Sequence, residues 1–427
     1  MPRRRWRATI DDYWQELGYQ QISDTDYTDC MIEPFAHLAS LYTEGNRVEV
    51  ETRVLSSPYG APHQRVPAPY SEGQLQALLK LIERPALTSA QLRAEWPALQ
   101  ELGWVQGEQL ALSRARALEQ IGQRLYETLF PRGRVRTALN VSLSQARKAR
   151  QPLPFQLQFD REAGYLARLP WELLRDEQGY LVRHGRLALA RYIAFKSPLT
   201  ALLVRGPLRV LVVISRPRGL AALDRDGELA ALRESLGSLS AQEGLRVDVL
   251  ERATWRGLVE ALSSGTYHII HFDGHGDFGR RCPQCRRLAP LDELTCTGRG
   301  ERGALCGQPL AGVPAQGYLA FERQDGEVDW RSAENLAAAL FRNPETRLAV
   351  LSACRSAMVG GGAVFAGTAP ALIGMGVPAV AAMQFEVPLY ATVAFTEVFY
   401  GAVAQRRPLI DAMAEARTAL DDDCWYR

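Results

Sequence analysis

The chain has 427 residues, of which 47% are hydrophobic and 23% are charged. That composition is typical of a globular protein, and the length suits two or three domains of roughly 100–200 residues each. Fifty basic residues are nearly balanced by 48 acidic ones, for a formal net charge of +2. Charge therefore gives no argument for a nucleic-acid or membrane-surface partner. No apolar run follows the arginines of residues 3–7, so the sequence predicts no secretory signal and a cytoplasmic protein with reduced thiols.

Residues 1–120 predict a smaller α+β region of unknown role. The run 47–55 alternates apolar and charged residues over most of its length, which indicates a strand. Residues 56–70 contain four prolines and predict a long loop. Helical periodicity follows at 74–82 and 113–129.

Residues 121–205 have a mixed pattern. The alternating run 154–159 predicts a strand with one solvated face, and 186–192 a second strand. Between them stands Leu-Pro-Trp-Glu-Leu-Leu at 169–174.

From residue 206 to 427, predicted strands alternate with predicted helices, which favours a mostly parallel sheet of about six strands with helices on both faces. The predicted strands are 208–214, 245–250, 267–272, 347–352 and 378–383. The predicted helices are 226–239, 254–262, 329–341, one ending near 375, and two closing helices.

Residues 358–385 carry no charge and would be long enough to span a bilayer. The stretch holds six glycines and two prolines and has more alanine than leucine. We predict a buried helix followed by a buried strand, and no membrane span.

Reactive side chains follow two of the predicted strands. His275 lies just after 267–272, between two glycines, and Cys354 lies just after 347–352. In parallel sheets the catalytic groups gather at the carboxyl ends of the strands. If the two strands are neighbours, the imidazole can accept the thiol proton, and the amides of Gly276 and Cys354 can form an oxyanion hole. Taken singly, such a cysteine is usually core filler and such a turn is usually only a turn.

Four sequence elements, taken in order, resemble those of the CHAT peptidases, which are relatives of caspases and separase. The four elements are Pro-Trp-Glu within 169–174, the histidine segment 267–276, the cysteine segment 348–356, and 376–385. The resemblance covers roughly residues 120–420. It implies a caspase-like three-layer sandwich and peptide-bond cleavage by a dyad.

By motif position, the resemblance implies that His275 is the base and Cys354 the nucleophile. His268 and His271 do not match the catalytic position, and we expect structural roles for them. The family further suggests bacterial immunity or cell death, with a protein substrate such as a gasdermin-like pore former and an activating protein partner.

A four-cysteine insertion at about 280–312 separates the histidine and cysteine segments. Its cysteines are Cys282, Cys285, Cys296 and Cys306. One C-x-x-C pair in a polar, glycine-rich loop suits a tetrahedral structural zinc, although the second pair is separated by nine residues. Unliganded thiols and a redox pair remain alternatives, and the insertion could dock a partner.

Asp273, Asp277 and Glu386 lie in segments expected to surround the cleft. An acidic pocket would favour a basic residue before the cleaved bond, whereas the alternative is solvated loop charges. A catalytically idle scaffold that binds a partner through the insertion and the N-terminal region is the second functional hypothesis. A nucleotide-binding module is disfavoured, because no phosphate-binding loop follows the strand 208–214.

Overall fold

The structure is a computed structural model. It describes residues 34–44, 47–83, 93–107, 109–160, 163–192, 204, 206–220, 234–235, 237–238, 244–250, 252–291, 293–300, 303–353, 367–385, 387, 389–420 and 425–426. These residues belong to two compact units. The first unit combines the described part of Ser23–Tyr192 with that of Leu409–Tyr426, and the second is the described part of Ile193–Pro408.

The first unit contains a five-stranded mixed sheet in the order β3-β2-β1-β6-β9. The strands of the whole first unit are β1 Phe35–Glu44, β2 Arg47–Ser56, β3 His63–Pro67, β4 Val105–Gln106, β5 Gln109–Leu110, β6 Leu153–Phe159, β7 Arg175–Asp176, β8 Gly179–Tyr180 and β9 Leu187–Tyr192. Its first helices are α1 Glu72–Glu83, α2 Trp96–Glu101, α3 Arg114–Leu129, α4 Arg134–Lys148 and α5 Gly164–Arg168. Strands β1, β2 and β3 pair antiparallel, whereas β6 pairs parallel with both β1 and β9.

The second unit contains a parallel sheet in the order β11-β10-β12-β17-β18. The strands of the whole second unit are β10 Leu208–Ile214, β11 Leu245–Leu250, β12 Ile269–Asp273, β13 Gly276–Arg281, β14 Leu288–Ala289, β15 Ala315–Glu322, β16 Val328–Ser332, β17 Leu348–Ser352 and β18 Ala379–Ala382. Its helices are α6 Trp255–Ser264, α7 Ala333–Leu340, α8 Thr368–Gly374 and α9 Leu389–Ala404. The chain then returns to the first unit with α10, Leu409–Thr418.

Helices lie on both faces of the parallel sheet because its central strands are apolar on both sides. Ile270 and Phe272 of β12 share a buried cluster with residues of α6, α7 and α8. His271 points to the other face, where its ring contacts Tyr400 of α9. The described residues thus form three layers around five parallel strands, where the sequence predicts about six.

A four-stranded antiparallel sheet in the order β14-β13-β15-β16 lies between β12 and α7 in the chain. Its position corrects the predicted helix 329–341, because 328–332 is strand β16 and the helix begins at Ala333. Ser332 ends the strand and caps the helix, since its hydroxyl accepts from the Asn335 amide and the Asn335 side chain accepts in return. The predicted helix 226–239 lies mostly outside the described residues.

The Pro-Trp-Glu element anchors the core of the first unit. The Trp171 side chain is fully buried, and its indole Nε1 donates to the carbonyl of Leu166 at 2.7 Å. The buried Glu172 carboxylate pairs with Arg191 at 2.7 Å and lies 4.0 Å from Arg417 of α10. These two arginines hold the pKa of Glu172 below its usual value despite burial, which by itself raises it. This element is therefore structural.

The strands predicted at 47–55, 154–159, 186–192, 208–214 and 245–250 are confirmed, as are the helices at 74–82, 113–129 and 254–262. The predicted loop 56–70 is wrong in part, because it contains β3. This strand forms the edge of its sheet, where prolines are tolerated. In the uncharged stretch 358–385, α8 and β18 follow one another as predicted. Among the described helices, none is long and apolar enough to cross a bilayer.

Candidate active site and four-cysteine cluster

The strands that precede His275 and Cys354 are direct neighbours. Strands β12 and β17 pair in parallel, with Asp273 opposite Ser352, and the Gly274 amide donates to the Ser352 carbonyl at 3.1 Å. His275 is partly buried and follows Asp273 by two residues. Cys354 follows Ser352 by two residues in the sequence but lies outside the described residues. The expected adjacency of the strands is confirmed, and the dyad itself stays a prediction.

Gly276 opens strand β13, where it lies opposite Leu319 of β15. The residues before it form a hydrogen-bonded pair, in which the Ala320 amide donates to the His275 carbonyl at 2.9 Å. Antiparallel strands alternate bonded and non-bonded pairs, so the Gly276 amide points away from β15. That direction suits a donor to a bound carbonyl oxygen.

The three predicted substrate-binding acids have different surroundings. Asp273 is only 3% exposed and forms an ion pair with Arg216. Asp277 is partly buried, and its Oδ1 accepts from the Phe278 amide at 2.8 Å. Glu386 lies outside the described residues.

A buried polar chain lies behind the strand ends, on the face of the sheet that α9 covers. The ring of His271 contacts the Ser352 hydroxyl at 2.9 Å through Nε2 and the Tyr400 hydroxyl at 3.1 Å through Nδ1. A neutral imidazole accepts at one nitrogen and donates at the other, so these hydroxyls satisfy both. Burial lowers the pKa of His271 to about 4, although Asp273 opposes the shift, and burial raises that of Tyr400. We expect His271 to stay neutral and to join the two strands structurally.

His268 also has a structural environment. Its Nδ1 accepts from the Arg209 amide at 2.8 Å, and its Nε2 lies 3.5 Å from Glu345. Burial lowers its pKa, which the nearby Glu345 carboxylate opposes.

Replacing His271 with glutamine should flatten the pH dependence of stability in the second unit. The folded pKa of about 4 lies below the unfolded value of 6.5, so the wild type loses stability as pH falls from 6.5 towards 4. The full loss is on the order of 3 kcal/mol. The measurement is the urea concentration at which peptides covering β12 are exposed in half of the molecules, determined at pH 7.5 and at pH 5.0. His63→Gln, at an exposed residue, should keep the wild-type slope; equal slopes in all three proteins would contradict the prediction.

The four insertion cysteines lie together. Their sulfur atoms are all within 4.8 Å of one another, with 3.7 Å between Cys282 and Cys306 and 3.4 Å between Cys285 and Cys296. In a tetrahedral site with Zn–S bonds of about 2.3 Å, sulfur atoms lie about 3.8 Å apart. A disulfide would require about 2.05 Å. The geometry therefore fits a metal site better than a pair of disulfides.

Two hairpins bring the cysteines together. In the first, Cys282 and Cys285 lie in the turn between β13 and β14, which the Arg286 amide closes onto the Cys282 carbonyl at 3.0 Å. In the second, the Cys306 amide donates to the carbonyl of Gly298 at 2.7 Å, and Cys296 pairs with the residues that follow Cys306. The second hairpin explains how Cys296 and Cys306 meet although nine residues separate them. Position 298 requires glycine, because a Cβ atom there would lie 2.8 Å from Cys285 Sγ.

Two of the four thiols, those of Cys282 and Cys285, have pKa values that are shifted in opposite directions. Burial raises the pKa of the Cys285 thiol to about 12. Burial also raises that of Cys282, but hydrogen bonds from the Cys285 and Gln284 amides outweigh it and lower the pKa to about 7. A bound divalent cation would stabilise all four thiolates. The cluster's small core, Ala289 and Leu310, is completed by the cysteines themselves.

Sequence reasoning missed Arg216 and Tyr400. Arg216 follows the end of β10 by two residues, and His275 follows the end of β12 by the same number. This shared position after neighbouring strands is a sequence signal that could have indicated Arg216. Tyr400 comes from a helix more than a hundred residues away, and no local pattern marks it.

The second unit is a parallel sheet between helix layers, and a histidine and a cysteine follow two of its neighbouring strands, which is the arrangement of a caspase-like cysteine protease. The family model of the CHAT domain matches residues 119–426. This is more than half of the chain, so the protein belongs to the CHAT-domain family, within the caspase-like protease clan. No curated protein matches the sequence.

Proposed function

We propose that this protein is a cysteine endopeptidase in which His275 is the general base and Cys354 the nucleophile. The observation that carries the proposal is the pairing of β12 with β17. Each dyad residue follows one of the opposed residues, Asp273 and Ser352, by two positions. Both segments therefore leave the same edge of the sheet, where catalytic groups of parallel sheets gather.

The chemistry follows from these groups. His275 takes the proton of the Cys354 thiol, and the thiolate attacks the carbonyl carbon of the substrate. The oxygen of the tetrahedral intermediate receives hydrogen bonds from the amides of Gly276 and Cys354. The imidazolium then gives its proton to the leaving amine as the peptide C–N bond breaks. Water, which gives a proton to His275, next attacks the carbonyl carbon of the acyl-enzyme; the C–S bond breaks, and the Cys354 thiolate leaves as the carboxylic acid product is released. The Gly276 amide points away from β15 and is therefore not used in that strand pairing, which supports its part in this scheme.

Acidic groups at this edge would favour a basic residue before the cleaved bond. The charge of Asp273 is already compensated by Arg216. We therefore assign the preference for a basic substrate residue mainly to Asp277 and Glu386. The family resemblance suggests the setting: a cytoplasmic protease of bacterial defence or cell death, switched on by a protein partner and cleaving a protein such as a gasdermin-like pore former. We assign the chemistry to residues 206–427 and leave the N-terminal 120 residues without a role.

We further propose that the four-cysteine cluster holds a structural zinc ion. Four thiolates would fill a tetrahedral site, leaving no position for a substrate, so the zinc would order the insertion and take no part in cleavage. Sulfur–sulfur distances near the tetrahedral value support this role.

Thiol labelling tests the proposed dyad. We expect an acyloxymethyl ketone with a basic residue at its cleavage position, or limiting iodoacetamide at neutral pH, to label Cys354 first, as read by intact mass and peptide mapping. Labelling should vanish in Cys354→Ala and slow at least tenfold in His275→Ala, because thiolate is the reactive form.

Cys30→Ala, at a cysteine outside the dyad and the cluster, is the matched control and should label as the wild type does. Labelling that spreads over other cysteines and ignores His275 would reject the proposal. It would favour the idle scaffold instead.

A further inference from the structure

Arg216 lies at the carboxyl edge of the parallel sheet beside the segment that carries His275. It follows β10, which pairs with β12 so that Ile214 lies opposite Asp273. Arg216 and His275 each come two residues after one of these opposed positions, beyond the ends of the adjacent strands β10 and β12. The family match and the dyad chemistry leave Arg216 without a role.

The Arg216 side chain is bound on one side of the turn at residues 273–275. Its guanidinium pairs with the Asp273 carboxylate and donates through Nη1 to the Asp273 carbonyl at 2.9 Å. The same nitrogen donates to the carbonyl of Ser215 at 3.0 Å. The guanidinium therefore fixes both the side chain and the backbone of the residue two positions before His275.

The neighbouring backbone extends this hold to the far side of the turn. The Ser215 hydroxyl donates to the Ala320 carbonyl at 2.6 Å, and the Ala320 amide donates to the carbonyl of His275 at 2.9 Å. The Arg216 amide donates to Glu322 at 2.9 Å on the same strand, β15. Gly274 fits tightly between these segments, because a Cβ there would lie 3.1 Å from the Ser215 side chain.

Arg216 also balances charge at this edge. Asp273 is buried, and without its partner it would leave an uncompensated carboxylate two residues from His275. Among the described residues, the other titratable or charged groups around the turn are Asp277 on the same segment, His271 behind the sheet and Glu322 on β15. An uncompensated negative charge here would favour the protonated forms of both dyad members.

We propose that Arg216 is a positioning residue of this active site, which holds the turn at 273–275 in place and neutralises Asp273 beside the general base; this inference rests on the proposed function. A direct role in binding an acidic substrate group is disfavoured, because both Nη nitrogens already serve Asp273 and the side chain is only 20% exposed.

Four variants distinguish the role of Arg216 in holding the turn from its role in neutralising Asp273. They are Arg216→Gln, Arg216→Lys, Asp273→Asn, and the double variant Arg216→Gln/Asp273→Asn. We expect Arg216→Gln to lower kcat by roughly 10–100-fold with little change in KM, because small displacements of catalytic groups have effects of that size. Its pH–rate profile should move to higher pH by about one unit.

The double variant should return the profile to the wild-type pH but leave kcat low, since the bonds to the backbone carbonyls are still missing. Arg216→Lys keeps the charge without the planar fork, so it should lower kcat and keep the wild-type profile. Asp273→Asn alone leaves Arg216 unpaired and should move the profile to lower pH. Arg218→Gln, at an arginine whose side chain is 70% exposed, is the matched control and should behave as the wild type.

Hydrogen exchange of peptides covering 273–280 is the second readout and does not depend on catalysis. Exchange should be faster in Arg216→Gln than in Arg218→Gln. Unchanged kcat with unchanged exchange would overturn the proposal, as would an effect confined to KM. If the wild type proved unreactive towards thiol probes, the proposed function would fail. The exchange comparison would still decide whether Arg216 holds the turn.

Discussion

Replacing His275 with alanine is expected to lower kcat/KM by roughly 10³-fold or more while leaving KM little changed. A positioned general base contributes about 10²–10⁴-fold, and removal of one member of a nucleophile–base unit often costs more. The loss should fall on kcat, because the imidazole moves protons in the transition state and makes no ground-state contact that the proposal requires. Steady-state kinetics on a peptide with a basic residue before the cleaved bond would measure it.

Chemical rescue sharpens this result. Added imidazole should restore part of the activity of His275→Ala, because a small base can enter the space left by the side chain, and it should not restore activity in Cys354→Ala. His63→Ala, at an exposed histidine of the first unit, is the control and should retain wild-type kcat/KM. Undiminished turnover in His275→Ala would assign the general base to another group.

Removing the metal should have the largest structural effect. Elemental analysis of protein purified without chelator is expected to find one zinc ion per chain, and Cys285→Ser and Cys306→Ser should each lose it. Structural zinc in small domains contributes about 10–16 kcal/mol, far more than the small core of Ala289 and Leu310 supplies. Peptides covering 282–310 should therefore exchange hydrogen rapidly after chelation.

The parallel sheet should survive the same treatment. Strand β10 belongs to a separate core of apolar residues, so its exchange should be unaltered by chelation. Cys424→Ser is the matched control, since this cysteine lies outside the insertion, and it should retain the zinc. Stable protein with no zinc and with free, readily alkylated thiols at all four positions would contradict the prediction.

Several features of the site could be predicted because they depend on local sequence. The run 348–351 is apolar throughout, which is the pattern of a strand buried on both faces, and it forms strand β17 together with Ser352, with all five residues buried. Reactive residues directly after such strands point to the carboxyl edge of a parallel sheet. The C-x-x-C pair similarly predicted a metal-binding turn, and Cys282 and Cys285 do lie in a tight turn.

Other features could not be predicted because they depend on pairing between distant segments. The predicted helix at 329–341 was wrong at its start, since residues 328–332 pair with β15 and this pairing overrides their helical pattern. The nine residues between Cys296 and Cys306 weakened the prediction of a metal site. In the structure, a hairpin brings these two cysteines together. Asp273 was predicted to bind substrate on its position alone, and its pairing with Arg216 depends on the order of strands.

The family and the alternation of strands and helices could be read from the sequence alone, and the residues that we propose for catalysis and for metal binding were chosen from it. These follow from residue types at short spacing, where hydrophobic period and turn chemistry act locally. The three-dimensional structure was needed to show that β12 lies between β10 and β17, that four sulfur atoms meet, and that Arg216 pairs with Asp273. Strand order and side-chain partners are set by burial and hydrogen bonding between segments far apart in the chain, which no local pattern encodes.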